Sequence, residues 1–284
     1  MLTTNRRHPS PDRVHKFLLT AVCVSLSLSA ADPSAVEIVR RATERENSNL
    51  ELRRQYMFKE TANERRLDKA GNVEKNEQTV HEIFYIAGEQ FRKLVAKNGQ
   101  PLPEKEAAKE QKRLDKQIEK RKNENPSGSA KREAKELREA REFRNQVVDA
   151  YNFQLVGEES VGGRSCYRIH AEPKPGFRPK GEAKILTKIK GDLWIDKDSY
   201  KWARVEAETI DTITGLGGIV RIAKGSTINV RQTFVNGEVW FPDRLQVKAK
   251  AKALLFLSAA VDYEALYSDF KKFSVDSKVF VAEQ

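Results

Sequence analysis

His81 and His170 are the side chains of this chain best suited to acid–base or metal chemistry, and neither has company at ligand spacing. His170 follows Cys166 by four residues and Arg168 by two, so period-two alternation places all three on one face of a strand. A zinc site or an activated thiol there needs a second cluster of His, Cys or carboxylate. The sequence around them does not supply one. The paired acids fare no better: Asp196 and Asp198 fall in a turn, and Glu206 and Glu208 alternate along a strand, where charges face water. Gly215-Leu-Gly-Gly218 reads as a loop between strands, and no phosphate loop, nucleophile elbow or H-E-x-x-H helix is present. No catalytic residue, metal ligand or cofactor is assigned. A hydrolase with an unrecognised site, tested at His170, is the enzymatic alternative to a binding protein.

The elements that would position these residues are mostly strands. The segment 191–208, GDLWIDKDSYKWARVEAE, alternates with period two. Leu193 and Ile195 point one way and Trp194 and Asp196 the other. Asp-Lys-Asp-Ser supplies a turn, and Ala203, Val205 and Ala207 share a face of the return strand. Similar alternation predicts strands over 52–67, 73–85, 90–96, 151–161, 164–172, 226–235 and about 259–267. Asn236-Gly237 is the strongest hairpin signal. The Pro- and Gly-containing stretch 173–190 reads as a long loop with a short strand near 185–189. Segment 33–47 carries Ala35, Ile38, Val39 and Ala42 at helical spacing, with Asn47-Ser48-Asn49 ending the helix. Segment 103–150 differs from the rest. It is rich in Lys, Arg, Glu and Ala and broken at 125–129, which predicts a charged helical hairpin with a sparse apolar stripe, too thin to form its own core.

The first 31 residues read as a secretory leader: Arg6, Arg7, Arg13 and Lys16 precede an apolar run of about a dozen residues and a small-residue cleavage site. Their removal leaves 48 basic against 40 acidic residues, changing the net charge from +11 to +8. One cysteine, Cys166, then remains, so no internal disulfide forms. The basic excess suits a solvated surface or peripheral contact with an anionic membrane; aromatic-basic clusters of the nucleic-acid-binding kinds are missing.

The order leader, amphipathic helix, strand meander, GDLWIDKDSYKWARVE hairpin, NGEVWFPDR and terminal YSDFKKF resembles the outer-membrane lipoprotein-sorting (periplasmic lipoprotein carrier) superfamily. That superfamily also includes a regulator of an envelope-stress sigma factor. The resemblance covers most of 32–284 outside 103–150. It implies an α+β fold, mainly antiparallel β: a curved half-barrel sheet with helices over its concave face, here with the charged helical insertion at 103–150. It further implies an apolar cavity for lipid or lipoprotein acyl chains and a periplasmic location. On that basis the cavity candidates are Tyr56, Phe58, Phe84, Trp194, Trp202, Phe234, Trp240 and Tyr263, each with ordinary core packing as its alternative. A protein-interaction or envelope-stress regulator, docking an envelope partner through 103–150, is the rival role on the same fold.

Overall fold

The computed structural model describes residues 33–273 except 69, 87–88, 216–219 and 254–256. The predicted leader at 1–31 lies outside the described residues. Helix α1 (Ala35–Arg53) starts at Ser34, whose side chain accepts from the Glu37 amide at 3.3 Å. Its stripe of Ala35, Ile38, Val39 and Ala42 is buried against Tyr167, Ile169 and Ile195. The helix continues past the predicted stop at 47. Asn49 normally competes with helical hydrogen bonding, but here its amide is buried and bonds both the N–H (2.9 Å) and the C=O (3.0 Å) of Trp240. A tertiary pairing overrides the turn preference.

Thirteen strands follow, all antiparallel where paired. They are β1 (Tyr56–Leu67), β2 (Val73–Ile86), β3 (Glu89–Lys97) and β4 (Gln100–Pro101); then β5 (Tyr151–Val161), β6 (Arg164–Pro173), β7 (Ile189–Asp196), β8 (Trp202–Thr209), β9 (Ile213–Gly215), β10 (Val220–Ile222), β11 (Thr227–Val235), β12 (Val239–Ala253) and β13 (Leu257–Lys272). The order across the sheet is β4-β3-β2-β1-β13-β12-β11-β8-β7-β6-β5, with β9 and β10 forming a side branch on β12. The terminal strands β4 and β5 do not pair with each other, so the sheet is open.

The sheet must bend. Ile38 of α1 packs against β6 and β7, while Leu52 of the same helix packs against Tyr56, Phe58 and Ile83 on β1 and β2. Fourteen helical residues span about 21 Å, whereas the seven strand spacings from β6 to β2 amount to about 34 Å along the sheet. Only a sheet curved around the helix satisfies both contacts. This is the α+β half-barrel expected from the resemblance, with α1 inside the curve.

The insertion forms α2 (Glu104–Lys122) and α3 (Pro126–Ala150). Helix α2 covers the free edge of β3: Glu110 accepts from the Leu94 amide at 2.8 Å, and Arg113 donates to the Arg92 carbonyl at 2.7 Å. Near its start α3 is tied to the β2–β3 end, where Arg132 pairs with Glu89 at 2.6 Å. Near its end Phe143, Val147 and Ala150 pack on Ala183 and Leu186. Those last two belong to a 3₁₀ segment (Gly181–Lys188) that replaces the short strand predicted at 185–189. The replacement follows from tertiary cover, since Ala183 and Leu186 are buried under α3.

Candidate apolar ligand site

Register across the sheet shows which side chains share a face, because directly opposed residues of neighbouring strands point the same way. One transverse row reads Ile169, Leu193, Val205, Val230, Leu245, Ala265 and Ala62, from β6 to β1. The next row reads Ala171, Gly191, Ala207, Ile228, Val247 and Tyr263. Ile169 packs on α1 at one end, and at the other Ala62 lies on the same face of β1 as Phe58, which shares a core with Leu52 of α1. Both rows therefore line the concave side.

Between them, on the reverse side, runs a row that is polar in every strand: His170, Asp192, Glu206, Asn229, Gln246, Glu264, Asn63 and Gln78. Strand alternation alone thus produces a floor of aliphatic side chains about 29 Å wide over six strand spacings. Its outer members Ile169, Ala171, Ala265 and Ala62 are buried, whereas Val205, Val230, Leu245 and Val247 in the middle are half-buried and Ile228 is 40% exposed.

At the β5–β8 end the floor deepens into a cavity of about 180 Å³ with an apolar lining. Tyr151, Phe153, Leu193, Trp202 and Val205 form its walls, and Val147 of α3 and Leu186 lie against it. Gly191 also lines it, and a Cβ there would lie 2.0 Å from the Glu206 carbonyl oxygen, so the close approach of β7 to β8 requires glycine. Burial pushes the Tyr151 phenol up to about 12.

At the β1–β3 end the floor stops against charge. Glu60 is buried on the same face of β1 as Ala62, and Arg92 reaches across from β3 to pair with it. The Arg92 Nη2 also lies 3.2 Å from His81 Nδ1. Burial, reinforced by the neighbouring Arg92 charge, lowers the His81 pKa to about 4. Tyr267 lies opposite Glu60 with Tyr263 on the same face of β13, and burial raises both phenol pKa values.

The eight aromatic candidates do not converge on one site. Trp202 lines the cavity, and Tyr263 stands at the charged end of the floor. Tyr56 and Phe58 pack in a core with Phe241 beneath Leu52, and the Tyr56 hydroxyl donates to Glu238 at 2.6 Å. Phe84 stacks on Phe91 at 6.0 Å between ring centroids. Trp194, Phe234 and Trp240 share another core with Cys166 and Ala203. Trp194 is sandwiched between the guanidinium groups of Arg168 and Arg204 and donates to Glu159 at 2.8 Å.

Trp194 and Trp202 end on opposite faces because of a bulge. Trp194 opposes Arg204 and Ile195 opposes Trp202, which leaves Ala203 as an extra residue. Ala203 accordingly packs with Trp194, away from Val205 and Ala207, with which alternation had grouped it.

The residues that might have done chemistry are accounted for by packing and ion pairs. Cys166 is fully buried, and burial pushes its thiol up to about 11. His170 bonds Asp192 at 2.5 Å and Glu172 at 3.2 Å, which raises its pKa. Asp196 is buried and held by Arg164 at 2.7 Å. Among the described residues, no cluster of three His, Cys, Asp or Glu is arranged to hold a metal ion, and no helix is long and apolar enough to cross a membrane.

No family model matches the chain, and no curated protein matches it. Solved structures similar to it include a DUF1329 family protein from Desulfovibrio piger, at 13% identity and TM-score 0.36, covering 87% of this chain and 96% of that one. A LolA superfamily protein from Nitrosomonas europaea matches at 13% identity and TM-score 0.29, over 86% and 95% of the two chains. The MucA/MucB complex of Pseudomonas aeruginosa matches at 10% identity and TM-score 0.21, over 82% and 99%. With every one of these TM-scores below 0.5, the fold rests on the chain's own strand order and the site on its own side chains.

Proposed function

We propose that this chain is a binding protein for the acyl chains of lipids or lipoproteins, acting in the periplasm after removal of a leader at 1–31, and that it works without chemical turnover. The observation that carries the reading is the half-buried middle of the two aliphatic rows on the concave side, Val205, Val230, Leu245, Ile228 and Val247, opening into the apolar cavity at Trp202. A soluble sheet face with no ligand to bind has little reason to keep Ile228 40% exposed beside Val230, Val247 and Tyr263.

Affinity would come from burial alone. About ten methylenes buried at ~0.8 kcal/mol each contribute roughly 8 kcal/mol, against an association cost of about 4–15 kcal/mol. Most of a long chain must therefore lie on the floor before binding becomes useful. Trp202 and Tyr263 are proposed to mark the two ends of that chain's path.

The test is native mass spectrometry of the protein purified from membranes, together with titration of a fluorescent fatty acid. Bound lipid or acylated peptide, competed by the probe, is the expected outcome. A protein that is reproducibly empty and does not bind the probe overturns the reading. The exposed faces of α2 and α3 leave room for the rival role, an envelope partner docked on 103–150; a partner that co-purifies with a protein that binds no lipid would favour it.

A further inference from the structure

The charged end of the floor is built unlike the rest of the molecule. Most arginines on the reverse face pair with a carboxylate on a neighbouring strand: Arg231 with Asp243, Arg244 with Glu264, Arg168 with Asp192. Arg92 instead lies on the concave side, on the same face of the sheet as Ile83 and Phe58. Its side chain passes over β2 to reach Glu60 on β1, next to Tyr267 and Tyr263 of β13, where the aliphatic rows end.

The guanidinium is held in a fixed way. The hydrogen bonds that the guanidinium makes to Glu60 and His81 both use Nη2, so among the described residues Nε and Nη1, which carry three of the five N–H donors of an arginine, are not taken up by either. His81 stays neutral over the physiological range, so it orients the guanidinium without adding a competing positive charge. The Arg92 side chain keeps 47% of its surface exposed, whereas Glu60, its counter-ion, keeps 9%. The cation is thus open to the cleft while its anion is buried.

A fixed, half-open guanidinium at the end of an aliphatic trough is the arrangement that would receive one anionic group attached to a long apolar chain. We infer that the ligand is an anionic amphiphile, its carboxylate or phosphate held by Arg92 beside Tyr263 and its chain lying along Leu245, Val230 and Val205 toward Trp202. The inference rests on the acyl-binding reading above and adds the class and orientation of the ligand.

The experiment uses the purified chain with three single-chain ligands of equal length: a fatty acid, the corresponding fatty alcohol and a lysophosphatidic acid. Each displaces a neutral fluorescent acyl probe. Arg92→Met alone would leave Glu60 buried and uncompensated, so the comparison variant is Glu60→Gln/Arg92→Met, with folding checked by circular dichroism. The expected result is that the anionic ligands bind about tenfold more tightly than the alcohol to the wild type, that the larger preference identifies carboxylate or phosphate, and that the double variant loses the preference while binding the alcohol as before. Equal binding of acid, phosphate and alcohol by the wild type, or a preference that survives in the double variant, overturns the head-group assignment and leaves acyl binding intact. Failure of all three to bind overturns both.

Discussion

The two faces of this sheet carry histidines that the same fold drives in opposite directions. His81, on the concave side, is partly buried next to Arg92, and its pKa falls to about 4. His170, on the reverse side, is bonded by Asp192 and Glu172, and its pKa rises. The difference shows what each face is for. On the concave side His81 is partly buried beside a cation, and the buried carboxylate there, Glu60, is paired with Arg92. The reverse side carries ion pairs in contact with solvent, such as Arg231–Asp243, Arg244–Glu264 and Arg168–Asp192.

Substitutions separate the faces most sharply in the core. Ile195→Ala, fully buried under α1, is expected to cost about 2–5 kcal/mol in chemical denaturation. A loss below about 1 kcal/mol would mean that α1 is not holding the sheet as described. The next largest effect is acid sensitivity. Because His81 is depressed in the folded chain, its contribution to stability is complete above its unfolded value near pH 6.5 and is lost as pH falls toward about 4. Denaturation midpoints measured between pH 4 and 7 should therefore fall less steeply in His81→Gln than in the wild type.

Ile228→Glu puts a charge on the open floor. It is expected to weaken acyl-probe binding at least tenfold, roughly 1.4 kcal/mol, while moving the thermal midpoint little, since Ile228 is 40% exposed. Equal loss of binding and of stability would place Ile228 in the core rather than at the site. His170 gives a smaller effect of opposite sign to His81: its contribution is present below about pH 6.5 and lost as pH rises through its raised folded value. A His170→Gln variant should narrow its stability gap to the wild type between pH 6 and 8. Arg231→Ala, on the reverse face with its side chain half exposed, should change stability by less than about 1 kcal/mol.

Much of the architecture was legible because each strand states its own alternation. The strand at 151–161 begins and ends in the structure where alternation and turn residues place it, whereas the break read at 125–129 is shorter, because Asn125 caps α3 and Pro126 is its first residue. What a single strand does not state is which of its faces is concave, since that depends on neighbours distant in sequence. β8 pairs with β11 and β1 with β13, and those distant pairings join Val205 to Val230 and Ala265 to Ala62 in one row. The aromatic residues drew attention as cavity walls, yet most sit in cores and the floor is aliphatic. Arg92 gave no signal in FRKLVAK, because its meaning comes from Glu60 two strands away. The bulge at Ala203 was equally silent, although it decides that Trp194 and Trp202 never meet on one face.

The cap that α2 places on β3 has a consequence for the behaviour of many copies rather than one. Glu110 and Arg113 occupy the backbone groups of Leu94 and Arg92 that a further strand would otherwise bond. Remove that helix, and the outermost strand presents bare N–H and C=O groups to its surroundings. Chains lacking the insertion should then meet edge to edge and form growing assemblies, so the charged segment that looks most dispensable in one molecule is what keeps a concentrated solution of them clear.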